Sequence, residues 1–511
     1  EGQFWDEMDA RADATAIHDR FRALKTFVGL SEENLKRFCR AQIESATRPF
    51  RRDEHPLRLG YDPDLHVERE DISAAYEDVL HGSQPAMTIV GPSGAGKTAS
   101  LMRLIDTSFD RAYPLFFSVR EANGEILRQV QREFEWNFEE EREELFYLRR
   151  LSELGDAAER PVIIFLDEFS PGSAHTWESE IDLMSRFLSE SSSDVKLVVS
   201  ATPSQWERLT RTGDRLSAFA VNLLRADQRE SGRAVPDVEL DRISGKELDE
   251  LWRNLKDEYG LLGKLGDRTH DLAYTPGLLH LLAQAYSGKR VPHDFLPDEF
   301  IERYFEWVDD KIDSGFRCHL EAITSVLVDE VGDKGEDWWP DIVSVAHQTL
   351  ERVIGEPDPE VLKRLSELGW IEVQDERFGP RTLRFRELWL QTICVAKFQI
   401  GTDRLESGEF DRERILQNPL LRHSASWYAS RTDNDQLRRS LFPEIYEAAE
   451  TFIARYSELF ELAPSVAPGG EKHVSCVLFP HPDIRAPYVG VSFTDSPKES
   501  VRCQQLVGGR K

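Results

Sequence analysis

Gly91-Pro-Ser-Gly-Ala-Gly-Lys97-Thr98 is the stretch whose residue types and spacing most directly imply chemistry. The pattern G-x-x-x-x-G-K-T follows the apolar run "AMTIV" and precedes the helical run "TASLMRLI". That context predicts a loop whose backbone N–H groups turn inward to cradle an anion at a helix N-terminus. Gly91, Pro92, Ser93, Gly94, Ala95, Gly96, Lys97, Thr98 and Ala99 are therefore expected to hold the phosphates of ATP. In this pattern Lys97 reaches the β/γ-phosphates and the Thr98 hydroxyl ligates Mg2+. A second run, "VIIFLDEF", delivers Asp167 and Glu168 to the C-terminal end of a strand, where ligands bind in open α/β sheets. Asp167 is expected on the Mg2+ hydration shell, and Glu168 is placed to orient or deprotonate an attacking water. A third run, "KLVVSAT", ends in Ser200 and Thr202, whose hydroxyls are candidates to touch the γ-phosphate or that water.

These residues need a scaffold, and the surrounding pattern predicts one. Short, nearly continuous apolar runs at 86–90, 113–119, 161–169 and 195–202, with a fifth at 238–241, alternate with amphipathic helical stretches. Such runs read as strands buried on both faces of a mostly parallel sheet covered by helices. Residues 1–46 have helical spacing and form an arm, with Ser31 as an N-cap, and Pro49, Pro56 and Pro63 break the chain into an irregular connector. Residues 242–315 are helical in pattern. The end of the chain, "VSCVLF" and "YVGVSF" around "PHPDIRAP", could pair as a hairpin.

The 511 residues are 40% hydrophobic and 31% charged, with a formal net charge of -29 at pH 7. That composition suits several globular domains and argues against indiscriminate coating of a polyanion. The 5 cysteines are scattered, without CxxC or zinc spacing. No apolar run reaches the roughly 18 residues of a membrane span, and no signal pattern opens the chain, so a cytoplasmic location without a membrane is expected.

With the motifs in view, residues 64 to 398 resemble the AAA+ and STAND branch of P-loop ATPases, especially archaeal-type ATPases and origin-recognition initiators. The resemblance rests on the motif order: "HVERED", the phosphate loop, the Asp-Glu strand, "GDRLSAF" and "YTPGLLHLL". It implies that His66, Val67 and Arg69 lie beside the adenine. It also implies that Arg215 is an arginine finger serving a neighbouring subunit, with Arg208 and Arg211 next in line. Pro276 matches the lid proline that contacts base or ribose. The lid has no second-sensor arginine, which favours the STAND side.

Residues 319–398 resemble a winged helix. Asp358 caps its helix 358–368, Gly369 ends it, and Arg377, Arg381, Arg384 and Arg386 form a strip along the wing that could contact DNA. The expected fold class is α/β: a P-loop, AAA+-like parallel-sheet domain with a helical lid, a winged helix and helical N- and C-terminal extensions. The expected divisions are 1–63, 64–241, 242–315, 316–400 and 401–511. The resemblance implies an ATPase using ATP and Mg2+ as a regulatory switch, with a homo-oligomer or an effector protein as partner, in stress or phage-defence signalling. A DNA-loading initiator or transposition regulator is the alternative, and a non-hydrolysing scaffold the third.

Overall fold

The computed structural model describes residues 32–52, 60–82, 84–119, 126–133, 145–167, 169, 176–190, 194–212, 215–225, 227–232, 234–240, 243, 245–266, 275–293, 297–310, 315–332, 342–355, 357–374, 381–429, 435–441, 473–479, 488–496 and 499–503. They divide into two compact units. The first holds residues up to Gly260 together with Tyr274–His280, and the second holds Leu261–Ala273 and Leu281 onward.

The first unit opens with helix α1 (Glu32–Thr47) and continues with α2 (Glu70–His81), β1 (Ala86–Val90), α3 (Lys97–Ser108), β2 (Tyr113–Ser118), α4 (Ile126–Glu133), α5 (Phe146–Ala158) and β3 (Val162–Asp167). Then come α6 (Thr176–Glu190), β4 (Val195–Ala201), α7 (Pro203–Thr210), the short strands β5 (Arg211–Thr212) and β6 (Arg215–Leu216), α8 (Ala218–Leu223), β7 (Val238–Glu239) and α9 (Gly245–Tyr259). The first half of α10 (Pro276–Ala285) belongs to this unit and the second half to the other.

Five strands form a parallel sheet in the order β2-β3-β4-β1-β7. β4 lies between the strand that feeds the phosphate loop and the strand that ends in Asp167. Alternation along each strand sends side chains to opposite faces. Met87, Ile89, Phe116, Ile163, Phe165 and Val198 pack with α2 and α3. Leu115, Phe117, Ile164, Leu166, Leu197 and Val199 pack in the other core with residues of α5, α6 and α7. Each such side chain, fully out of water, contributes about 1.5–3 kcal/mol of burial.

The division expected at residue 63 is not where the chain separates. Leu35, Phe38 and Cys39 of α1 lie in the second of these cores. Gln42 accepts from the Phe116 N–H at 3.1 Å and donates to the Phe116 carbonyl at 2.6 Å. A side-chain amide thus takes the place of a neighbouring strand along the open edge of β2, which would otherwise present unpaired backbone groups. Helix α1 is integral to the sheet domain, whereas residues 1–31, including Ser31, lie outside the described residues. The expected lid, 242–315, is divided between the two units.

The second unit contains α11 (Pro297–Asp309), α12 (Phe316–Gly332), β8 (Ser344–Ala346), α13 (His347–Ile354), α14 (Pro359–Glu367), β9 (Ile371–Gln374), β10 (Thr382–Phe385) and α15 (Leu388–Val395). The three strands pair antiparallel in the order β8-β10-β9. Asp358 caps α14 by accepting from the Glu360 N–H, as its sequence predicts, and Gly369 follows with φ 75°. An aromatic stack anchors the unit, with Trp370 parallel to Tyr304 at 5.5 Å and its indole N–H donating to the Tyr304 hydroxyl at 3.2 Å. Toward the end of the chain, β11 (His473–Phe479) and β12 (Tyr488–Ser496) pair antiparallel, and β13 (Glu499–Cys503) adds a third strand.

Candidate nucleotide site

β1 ends at Val90 and the loop 91–96 carries the chain into α3, as the motif predicts. Two of its glycines are required by backbone conformation. Gly94 and Gly96 have φ of 82° and 94°, the left-handed region where a Cβ is strained. Gly91 is required by space, because a Cβ there would lie 2.6 Å from the Leu240 carbonyl oxygen. Around Gly96 nothing lies within 4 Å of an added Cβ, so conformation and not space is what demands glycine there.

The Lys97 ammonium donates to the carbonyls of Gly91 at 2.8 Å and Pro92 at 3.0 Å. The Thr98 hydroxyl donates to Oδ2 of Asp167 at 2.6 Å, joining the start of α3 to the end of β3 across 69 residues of sequence. Asp167 is 2% exposed, and its Oδ1 accepts from the Ser200 hydroxyl at the end of β4. A hydroxyl beside a carboxylate is an oxygen donor set of the kind that suits Mg2+, so loop and strand end together fit a magnesium-bound triphosphate. Glu168 lies outside the described residues.

The hydroxyls of "KLVVSAT" have separate uses. Ser200 is turned onto Asp167, whereas Thr202 is the N-cap of α7 in a capping box, accepting from the Gln205 N–H at 3.4 Å. The Gln205 side chain accepts from the Thr202 N–H at 2.8 Å and donates to the Phe169 carbonyl. Gln205 therefore ties α7 to the segment directly after Glu168. Gln205 was not among the residues expected at the site, although the T-x-x-Q pattern of a capping box is the local signal that could have found it.

Beside the loop lies a cavity of about 80 Å3. Ala95, Gly96 and Ala99 line one side, His66, Val67 and Arg69 another, and Glu247 of α9 and Pro276 of α10 a third. The residues matched to an adenine contact and to a lid proline are thus brought to one space. Burial, reinforced by the Arg103 and Arg69 cations, pushes the His66 imidazole down to about 4, so the ring is neutral. Burial also lowers the Arg69 guanidinium from its ordinary value, with Glu247 opposing the shift.

Arg52 pairs with Asp62, which lines the cavity, at 2.8 Å and with Glu258 at the end of α9 at 2.7 Å. At the start of α10 the Gly277 N–H donates to the Gly94 carbonyl at 3.2 Å.

Among the finger candidates, Arg208 is held by Glu178 at 2.5 Å and lies over the Trp177 ring at 5.4 Å. Arg215 and Arg211 are exposed on the β5–β6 hairpin, where Arg215 faces Thr212.

Of the arginines expected to form a strip that could contact DNA, Arg384 and Arg386 are buried. Arg384 is 7% exposed and bonds Glu372, its cross-strand partner, at 2.9 and 3.0 Å, and Arg386 is 4% exposed. A buried guanidinium needs a carboxylate, and Glu372 supplies it at the expense of any phosphate contact. Arg381 is exposed, and Arg377 lies outside the described residues.

Residues 80–209 match the AAA domain family. No curated protein matches the chain. Among solved structures, the chain is similar to the Aeropyrum pernix Orc1 protein in complex with DNA, at 15% identity over 65% of this chain and 93% of that one, TM-score 0.33. It is also similar to a Signal Transduction ATPase with Numerous Domains (STAND) protein with a tetratricopeptide repeat sensor from Pyrococcus horikoshii, at 13% identity over 78% of this chain and 53% of that one, TM-score 0.33. A third likeness is to Cdc6p from Pyrobaculum aerophilum, at 13% identity over 65% and 92%, TM-score 0.31. Among the described residues, no helix is long and apolar enough to cross a membrane.

Proposed function

We propose that this chain, an AAA+ P-loop protein by its residues 80–209, is an ATP-hydrolysing regulatory switch whose nucleotide state controls assembly or engagement of an effector protein. One observation carries the reading. The N-terminus of α10 bonds the phosphate loop itself through Gly277 and Gly94, while Pro276 lines the cavity beside Gly96. A nucleotide in that cavity meets α10 directly, and α10 runs on into the second unit. In this reading α10 is the element that would carry occupancy beyond the sheet domain.

The roles follow from position. Lys97 would hold the β/γ-phosphates, and Thr98 with Asp167 the Mg2+, while the bound nucleotide supplies the phosphoryl group to be cleaved. Glu168 would take the proton of the attacking water. His66, Val67, Arg69 and Pro276 would enclose the base and ribose. Arg215, exposed on its hairpin, is free to serve the site of a second copy, where a guanidinium neutralises charge developing on the phosphoryl group. Against the DNA-loading alternative stand the formal net charge of -29 and the burial of Arg384 and Arg386.

The test is ATP turnover as a function of protein concentration for wild type, Glu168→Gln and Arg215→Ala, with oligomer size measured in ADP and in a non-hydrolysable ATP analogue. Specific activity should rise with concentration, both substitutions should abolish it, and the analogue should enlarge the oligomer. Equal oligomer size in the two nucleotides sinks the switch. Absent turnover despite ATP binding sinks hydrolysis and leaves the scaffold.

A further inference from the structure

We infer that Ser200 is a positioning residue for Asp167, fixing the rotation of its carboxylate so that one oxygen is turned toward Thr98 and the metal side. The inference deepens the preceding reading and rests on it for the role of Thr98 and Asp167. Sheet order makes it available: β4 lies between β1 and β3, so the end of β4 is adjacent to both the phosphate loop and the end of β3. Ser200 pairs in register with Ile89, and Val199 with Leu166, one residue short of Asp167.

Both partners are out of water, Ser200 at 1% and Asp167 at 2% exposure. The two oxygens of Asp167 have different partners: Oδ1 accepts from Ser200 and Oδ2 from Thr98. A carboxylate rotates in a broad, roughly two-fold well, so one pinned oxygen orients the other. An oxygen left without a donor in this buried place would draw the group toward another one. Thr98 already donates to the other oxygen of this carboxylate at 2.6 Å, and its hydroxyl is the one that would ligate the metal. Ser200 frees Oδ2 for the metal side by satisfying Oδ1. The hydroxyl is thus spent on the carboxylate, and no phosphate contact is assigned to it.

The test titrates a fluorescent ATP analogue onto the full chain in EDTA and across a range of Mg2+ concentrations, for wild type, Ser200→Ala and Ser200→Thr. Outer-shell partners of metal ligands typically tune metal affinity by about 10- to 100-fold. Ser200→Ala should therefore raise the Mg2+ concentration for half-maximal enhancement of binding by about that factor. Its affinity in EDTA should stay that of wild type, and Ser200→Thr, which keeps the hydroxyl, should restore the Mg2+ response. An unchanged Mg2+ midpoint in Ser200→Ala overturns the inference. So does an equal loss of affinity in EDTA, which would mean that the hydroxyl touches the nucleotide. If wild type binds no analogue in either condition, the nucleotide-site reading itself fails.

Discussion

The N–H of Gly277 donates to the carbonyl of Gly94 at 3.2 Å, so the first turn of α10 is bonded to the loop that would hold phosphate. Gly94 has φ 82°, a conformation the loop needs in order to turn its N–H groups inward. A helix that leads away from the site therefore grips the loop at one of its conformationally demanding residues.

Removing that donor should uncouple the helix more than it weakens binding. One neutral hydrogen bond contributes about 0.5–1.5 kcal/mol net, so Gly277→Pro should change nucleotide affinity by less than about tenfold. The slowing of amide exchange that nucleotide produces across 276–285 should nevertheless be lost. Hydrogen exchange followed by mass spectrometry reads both, with Gly277→Ala, which keeps the N–H, as the control. Intact slowing in Gly277→Pro would discount the bond as a link.

The loop glycines should fail for different reasons. Gly91→Ala drives a Cβ to 2.6 Å from the Leu240 carbonyl oxygen, a backbone clash that should destabilise the fold by about 1–3 kcal/mol. Gly96→Ala meets open space but is strained at φ 94°, at about 1–2 kcal/mol. Its loss should appear as altered loop conformation and weaker nucleotide binding. Denaturant unfolding and nucleotide titration of the two variants separate clash from strain.

Reversing charge on β10 should unfold the protein before it affects any nucleic acid. Arg384→Glu sets two carboxylates against each other in a buried pair, and breaking such a pair costs about 3–5 kcal/mol. The swap Arg384→Glu with Glu372→Arg should recover part of that loss. Chemical denaturation of the single and double variants checks the coupling. A well-folded Arg384→Glu would show that the pair is dispensable.

Acid should loosen the chain well above the carboxylate range. His66 and His280 are each pushed by burial from an ordinary 6.5 down to about 4. As pH falls below 6.5 the unfolded chain takes up these protons while the folded chain resists until about 4, so stability drops across that window. The thermal midpoint should fall between pH 6.5 and pH 4, with a shallower slope in His66→Gln and His280→Gln. An identical slope in both variants would count against these rings.

Local pattern alone determined much of this protein. Continuous apolar runs placed β1 to β4 within a residue or two of where they lie, because strands buried on both faces leave that signature. The phosphate loop was legible because its glycines serve backbone geometry within a few residues, and the cap at Asp358 because a helix terminus is a local problem. Tertiary structure decided what those residues meet. Period-2 alternation put Arg384 and Thr382 on one face of β10 but could not say that Glu372 lies across from Arg384 and that the face is covered. Likewise Ser200 and Thr202 stood as equal candidates in the sequence; the local T-x-x-Q capping box takes Thr202 as the cap of α7, and strand order turns Ser200 onto Asp167. A hydroxyl forms a bond only with what lies within about 3 Å, and across 33 residues of chain that neighbour is chosen by how the strands stack.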